Sequence, residues 1–386
     1  MKNIVDYIKN KRRLCWFIIL YSIDFLWKII LEKNDGNDLL LVRLDAIGDF
    51  VLWLDAAKEF RQLYPDKKIV LCANSIWSDL ACGLTYWDEV WPIDVLKFEK
   101  NLVYRFKIFR QIRNRGFDTA IQPTVSRIFA QGDSIIRMTG AGLRIGSTGD
   151  LSNTTLFFKL IADKWYTRLV SANNDPLMEL ERNAEFIRNL SGKSFAAGLP
   201  ILPKRNVCSD ILIIKEAYFV LFPGASWLGK QWPAERFAEI AGFVHDKFGW
   251  LPVLCGGSQD RSVCQSVSER CRVPVRDLSG STTLQELIEV IRGARILIGN
   301  DTSAIHFAVA VSVPSVCILG GGHYGRFMPY PENIRGTKPV VANHEMPCYH
   351  CNWQCTQPHE DTDAVPCITG ISVSTVMSKI DLSLSR

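Results

Sequence analysis

Short apolar runs alternate with stretches of helical spacing from Leu39 onward, and one long apolar run precedes them. Leu39 to Leu44 is apolar apart from Arg43, and residues 46–49 break it as a loop. Phe50 to Tyr64 then repeats at helical spacing, and Pro65 and Asp66 stop it before the run Ile69 to Cys72. Continuous apolar runs this short read as strands buried on both faces, so the segment is a βαβ unit. Further strands are expected at Glu89 to Ile93, Thr119 to Gln122 and Leu143 to Ile145, extending a parallel sheet.

The stretch from Gly198 to Asp210, with Pro200, Pro203, Lys204 and Arg205, reads as a connector. The same grammar then restarts. Strands are expected at Tyr218 to Phe222, Leu251 to Cys255, Arg295 to Ile298 and Ser315 to Leu319, with helices at Ala234 to Phe248 and Ser303 to Val311. The fold class is therefore α/β, with two doubly wound parallel-sheet domains. The expected division is an N-terminal helical segment 1–38, a first domain 39–205 and a second domain 206–386. Two such domains facing one another would place their strand-to-helix loops at a shared cleft, where ligands bind in folds of this kind.

The long apolar run, LCWFIILYSIDFLWKIIL over 14–31, follows a basic cluster of Lys9, Lys11, Arg12 and Arg13. Trp27, Lys28 and Glu32 stand where a signal peptide needs small residues, so cleavage is not expected. Asp24 and Lys28 recur on one helical face and argue against a span. The favoured reading is an amphipathic helix lying on an anionic membrane surface through residues 9–31, with a helix packed on its own domain as the alternative.

Composition changes little in this picture. The formal net charge of +5 is spread over 45 basic and 40 acidic residues, so a nucleic-acid partner is not indicated. Eight of the 12 cysteines stand singly, several in apolar runs, which fits a reducing cytoplasm.

Five loops carry candidate chemistry. After Arg43-Leu44-Asp45-Ala46-Ile47-Gly48, Asp49 is either a helix cap or a general base for a hydroxyl nucleophile. In Pro223-Gly224-Ala225-Ser226-Trp227-Leu228-Gly229-Lys230, the lysine stands just before a helix start, where the dipole favours anions. A bound diphosphate would satisfy Lys230 and the free amides together; a solvated lysine is the alternative. Asp301, Thr302 and Ser303 end an apolar strand and open a helix, a natural phosphate or sugar-hydroxyl site, although Asp301 also suits an ordinary cap. His306, one turn further, reads first as a satisfied core histidine. The loop Gly320 to Arg326 can bring backbone amides, including that of Gly322, and the Arg326 guanidinium against an anion. No strand is followed by GxGxxG, which disfavours a nicotinamide dehydrogenase. Near the C-terminus Cys348, Cys351, Cys355 and Cys367 have spacing that admits a structural zinc or iron, disulfides or free thiols.

Taken in order, Arg43-Leu44-Asp45-x-x-Gly48-Asp49, Pro223-Gly224-Ala225-Ser226 with Lys230-x-Trp232-Pro233, Gly256-Gly257, and Gly299-Asn300-Asp301-Thr302 with His306 resemble glycosyltransferase family 9. These are the heptosyltransferases of bacterial lipopolysaccharide cores. The resemblance covers roughly residues 39–380 and implies a GT-B fold with two Rossmann-like domains. It further implies an inverting, metal-independent transfer from a nucleotide sugar, typically ADP-heptose, to a glycan or glycolipid hydroxyl at the inner face of the inner membrane. It places Asp49 at the general-base position, Lys230 on the diphosphate, and Asp301 to Ser303 in the donor loop; Ser226, His306, Gly322 and Arg326 complete the expected donor-binding residues. Asp260 falls where the family often has a glutamate on the donor ribose. Trp53, Asp55 and Ala56 depart from the family's usual continuation, so acceptor recognition is expected to differ. The related protein heptosyltransferases that modify adhesins resemble this chain in a cysteine finger, which there holds iron. Protein hydroxyls as acceptor, or a donor-binding module without catalysis, are the competing readings.

Overall fold

The computed structural model describes residues 2–360 and 362–385, the side chains of 2–13 excepted. The basic cluster Lys9, Lys11, Arg12 and Arg13 thus lies outside the described side chains. The chain forms two compact units. The first comprises Met1–Phe50, Ala56–Asn174 and Arg182–Ala196; the second comprises Val51–Asp55, Asp175–Glu181 and Ala197–Arg386.

In the first unit, strands β1 (Asp38–Arg43), β2 (Ile69–Asn74), β3 (Glu89–Ile93), β4 (Phe117–Gln122), β5 (Leu143–Ser147) and β6 (Arg168–Val170) form one sheet in the order β3-β2-β1-β4-β5-β6. Every pairing is parallel. The second unit repeats the plan with β7 (Tyr218–Phe222), β8 (Leu251–Leu254), β9 (Arg276–Asp277), β10 (Leu297–Asn300), β11 (Ser315–Leu319) and β12 (Val340–Asn343), ordered β12-β11-β10-β7-β8-β9 and again wholly parallel. Both orders are the doubly wound 3-2-1-4-5-6 arrangement, so each unit is a Rossmann-like fold. The central strands are buried along their length, as continuous apolar runs covered on both faces require.

That topology locates the ligand crevice of each unit. The strand order reverses between β1 and β4 in the first sheet and between β7 and β10 in the second. The crevice opens beyond the carboxyl ends of those strands, where the loops after Arg43, Phe222 and Asn300 begin.

Helix α1 (Lys2–Ile30) buries the side that carries Asp24. Asp24, expected on a solvent-facing polar stripe, is 1% exposed and bidentate with Arg105, whose Nε and Nη2 donate to its carboxylate at 2.8 and 2.5 Å. Arg105 Nη1 donates to the carbonyls of Ala130 and Phe98, so the buried pair is well partnered. Phe17 and Leu20 pack on Phe129 and Phe158 from the same side of the helix. The helix therefore docks on its own unit. Among the described residues, no helix is long and apolar enough to cross a membrane.

Candidate functional site: two strand-end loop clusters

In the first unit the loop after β1 is fixed by buried polar contacts. Arg43, 1% exposed, pairs with Asp45 at 2.6 Å, and its Nη1 donates to the Asn183 side-chain Oδ1 at 3.2 Å. Asp45 also accepts from the Thr124 hydroxyl at 3.0 Å, which ties the loop after β1 to the loop after β4 across the switch point. Its backbone carbonyl takes the Trp77 indole N–H at 2.8 Å. Asp45 is thereby occupied. Helix α2 (Ile47–Leu63) begins after Ala46, which holds the cap position, so Asp49 lies in the first turn rather than at the cap. An acidic side chain there is favoured by the helix dipole, and the cap reading of Asp49 is set aside.

In the second unit Asn300, fully buried at the end of β10, fastens both ends of the loop that follows β7. Its amide donates to the Pro223 carbonyl at 2.7 Å, and its oxygen accepts the Trp232 N–H at 3.2 Å. The loop carrying Ser226 and Lys230 is thus held to the end of β10. Ser226 is exposed. Lys230 closes a short 3-10 turn, Leu228–Lys230. Burial pushes its pKa down, and the charge of Asp301 acts in the opposite direction. The Asp301 carboxyl is pushed up by its own burial, and Lys230 opposes that. A lysine and an aspartate thus share one desolvated neighbourhood, so Lys230 is not the solvated lysine of the alternative reading. Its ammonium lies 4.4 Å from the centroid of the Trp353 ring.

Thr302, not Asp301, occupies the cap position of the helix Ser303–Ala310, and its side chain makes no capping bond. The Thr302 hydroxyl is buried without a hydrogen-bond partner. A buried polar atom left in that state is costly unless a ligand completes it. His306 is 3% exposed, with Nδ1 2.9 Å from the Tyr330 hydroxyl; burial pushes its pKa down to about 4, so the ring is neutral. The structure supports the core reading of this histidine.

Asp260 accepts from the Gly257 N–H at 2.8 Å, and burial raises its carboxyl pKa. A Cβ on Gly224 would come within 2.2 Å of that carboxyl group, so the absence of a side chain there lets the two loops meet. Gly322 is buried, and the Arg326 guanidinium lies 5.0 Å from the Phe327 ring centroid. A cavity of about 650 Å³ lined by Leu228, Gln231, Trp232, Glu235 and His359 is separate from this cluster: neither Lys230 nor Asp301 lines it.

Burial pushes the Cys367 thiol up, the Gly321 N–H opposes that, and Cys348, Cys355 and Cys351 add smaller contributions in the upward direction. All are free thiols, and Cys367 Sγ accepts from the Gly321 N–H at 3.4 Å. Among the described residues no three or more His, Cys, Asp or Glu side chains are arranged to hold a metal ion. The residues as placed do not fit the expected zinc or iron, and no chemistry is routed through one.

Sequence reasoning missed the Asp45 network and Trp353. A tryptophan between two cysteines gave no periodic signal, and only its partner Lys230 pointed to it.

Residues 105–357 match the family model for glycosyltransferase family 9 (heptosyltransferase). A lipopolysaccharide heptosyltransferase 3 of Escherichia coli K12 is 29% identical over 127 residues, 32% of this chain and 37% of that protein. Another Escherichia coli lipopolysaccharide heptosyltransferase 3 is 27% identical over 308 residues, 74% of this chain and 84% of that protein. Among solved structures, a glycosyl transferase family 9 protein from Veillonella parvula superimposes with a TM-score of 0.70 at 17% identity, covering 91% of this chain and 98% of that one. The Escherichia coli heptosyltransferase WaaC with ADP-2-deoxy-2-fluoro heptose gives 0.61 at 17% identity, covering 89% and 99%. The iron-containing dodecameric glycosyltransferase TibC from enterotoxigenic Escherichia coli gives 0.51 at 15% identity, covering 92% and 80%. At such identities these likenesses speak for the fold.

Proposed function

The chain belongs to glycosyltransferase family 9, the heptosyltransferases, and on that premise we propose that it moves heptose from ADP-heptose to a hydroxyl of a lipopolysaccharide core or related glycan, with inversion. The observation that supports this most directly is the donor-side cluster. Lys230 and Asp301, both partly buried and each acting on the other's charge, stand on strand-end loops beside a helix start whose Thr302 hydroxyl lacks a partner. A diphosphate would accept from Thr302 and the first free amides of the helix, and Lys230 would neutralise it. Departure of the diphosphate needs that neutralisation, and these groups provide it without a catalytic metal.

Attack by the acceptor hydroxyl requires a base on the opposite face of the sugar. Asp49 takes that role in this proposal, at the position the family resemblance implies, in the first turn of α2 beyond the carboxyl end of β1. Asp260 stands at the donor-ribose position. A lipid-borne acceptor is favoured over a protein one by α1, whose exposed side is apolar. We assign to that side contact with the membrane surface carrying the acceptor.

The test is Asp49→Asn assayed with ADP-heptose and core acceptor. Transfer should fall by about 100 to 10,000-fold while ADP affinity is kept. Undiminished turnover would remove Asp49 from the mechanism. A chain that binds ADP-heptose but transfers to no hydroxyl, glycan or protein, would be a binding module instead.

A further inference from the structure

Trp353 belongs to a segment laid along the glycine loop that follows β11. The His350 N–H donates to the Gly321 carbonyl at 2.8 Å and the Asn352 N–H to the Gly322 carbonyl at 3.0 Å. Three residues there, His350, Asn352 and Trp353, have φ of 66°, 50° and 60°, a left-handed backbone that non-glycine residues adopt at a cost. The indole lies flat over the glycines: a Cβ on Gly322 would come within 2.4 Å of it, and one on Gly320 within 2.7 Å. Trp227 and His323 meet the ring edge-on, each with a centroid separation of 5.9 Å. One face is left to the Lys230 ammonium, and the indole Nε1–H is buried without an acceptor.

We propose that Trp353 is a positioning residue of the donor site, its ring face holding the Lys230 ammonium toward the β-phosphate and its indole N–H supplying a further donor to the bound nucleotide sugar. Two independent observations carry this. An ammonium taken out of water needs an electron-rich partner, and the indole face is the strongest aromatic one. A buried N–H without an acceptor is completed by an oxygen-rich ligand. The strained backbone is the local cost of placing the ring there, and the cysteine-bearing segment is thereby the wall that fixes the lysine.

The proposal rests on the reading that Lys230 meets the donor diphosphate, and the experiment separates the two. ADP and AMP affinities are measured calorimetrically for wild type, Trp353→Leu, Trp353→Phe, Lys230→Ala and the double variant, with melting curves to confirm folding. Acetic anhydride labelling of Lys230, read by mass spectrometry, follows the lysine without any nucleotide. Trp353→Leu should weaken ADP about 3- to 30-fold, leave AMP nearly unchanged and raise Lys230 labelling. Trp353→Phe should recover part of both. In the Lys230→Ala background the Leu substitution should cost less than it does alone. With ADP-heptose, KM should rise more than kcat falls. If Lys230→Ala leaves ADP affinity intact, the diphosphate reading fails, while increased labelling in Trp353→Leu still upholds the hold on the lysine. Unchanged labelling in a folded Trp353→Leu variant overturns the proposal. So does an equal loss of AMP and ADP.

Discussion

His306 sits one turn into the helix Ser303–Ala310 with Nδ1 against the Tyr330 hydroxyl, and its depressed pKa has a consequence for stability. The unfolded histidine takes up a proton near its ordinary value of about 6.5, whereas the folded ring resists until about pH 4. Between those values the unfolded chain binds more protons, so stability is complete above the higher one and falls as the pH drops toward the lower. The loss from this residue alone should reach about 2–3 kcal/mol near pH 4.5. Urea melts at pH 7 and 4.5 on wild type and His306→Asn check it, with the variant expected to lose that much less between the two pH values. The sequence made this reading possible, since an apolar helix carrying one histidine is commonly a core helix. It could not show that Asp260 would spend its carboxylate on the Gly257 amide, nor that Asp45 would be taken up by Arg43 and Thr124. Thr124 reaches Asp45 from 79 residues away, and the two local contacts depend on how each loop turns, so spacing does not encode them.

Among the elements, the strands most legible in the sequence are those buried on both faces. β7 and β11 match the apolar runs residue for residue. Strand β10 runs two residues beyond its expected end, because the polar Asn300 is buried there and satisfied by Pro223 and Trp232, so it has no apolar signature. The edge strands β6, β9 and β12 were not expected at all; at two to four residues each, they are too short to give the run that would betray them. Helix α1 shows the opposite failure. Its periodicity was visible, but Asp24 suggested which side was wet, and the structure turns that side inward onto Arg105. Removing one partner of such a pair strands the other charge in an apolar setting. Asp24→Ala should therefore destabilise the first unit by about 3–5 kcal/mol. Replacing Asp24 and Arg105 together with Leu and Met should restore much of that. Thermal melts of the single and double variants measure it; equal losses in both would mean the ion pair is not the linchpin of the helix.

For the molecule as a whole, docking α1 through Asp24, Phe17 and Leu20 leaves its other side to the surroundings. That side carries Leu14, Ile18, Ile19, Phe25, Leu26, Ile29 and Ile30, between 39% and 67% exposed. Leu156, Phe157 and Leu160 are also exposed, on the helix Leu156–Asp163, whose Phe158 packs against Phe17. An apolar surface of this kind does not stay in water without reason. The sequence just ahead of it supplies Lys9, Lys11, Arg12 and Arg13, each worth roughly 1 kcal/mol near an anionic bilayer. On the proposed reading, apolar area and positive charge together favour a lipid surface over a second copy of the chain, which would bring its own basic cluster into the contact. The protein should therefore sediment with phosphatidylglycerol vesicles, and much less with phosphatidylcholine ones. Raising the salt from about 0.1 to 1 M shortens the screening length from roughly 10 to 3 Å and should release part of it. The double variant Ile19→Asp with Leu26→Asp should stay in the supernatant while keeping its melting temperature, since both side chains face away from the core. Concentration-dependent dimers in solution, with no vesicle binding, would mean that another copy covers this side, and the membrane contact would then be withdrawn.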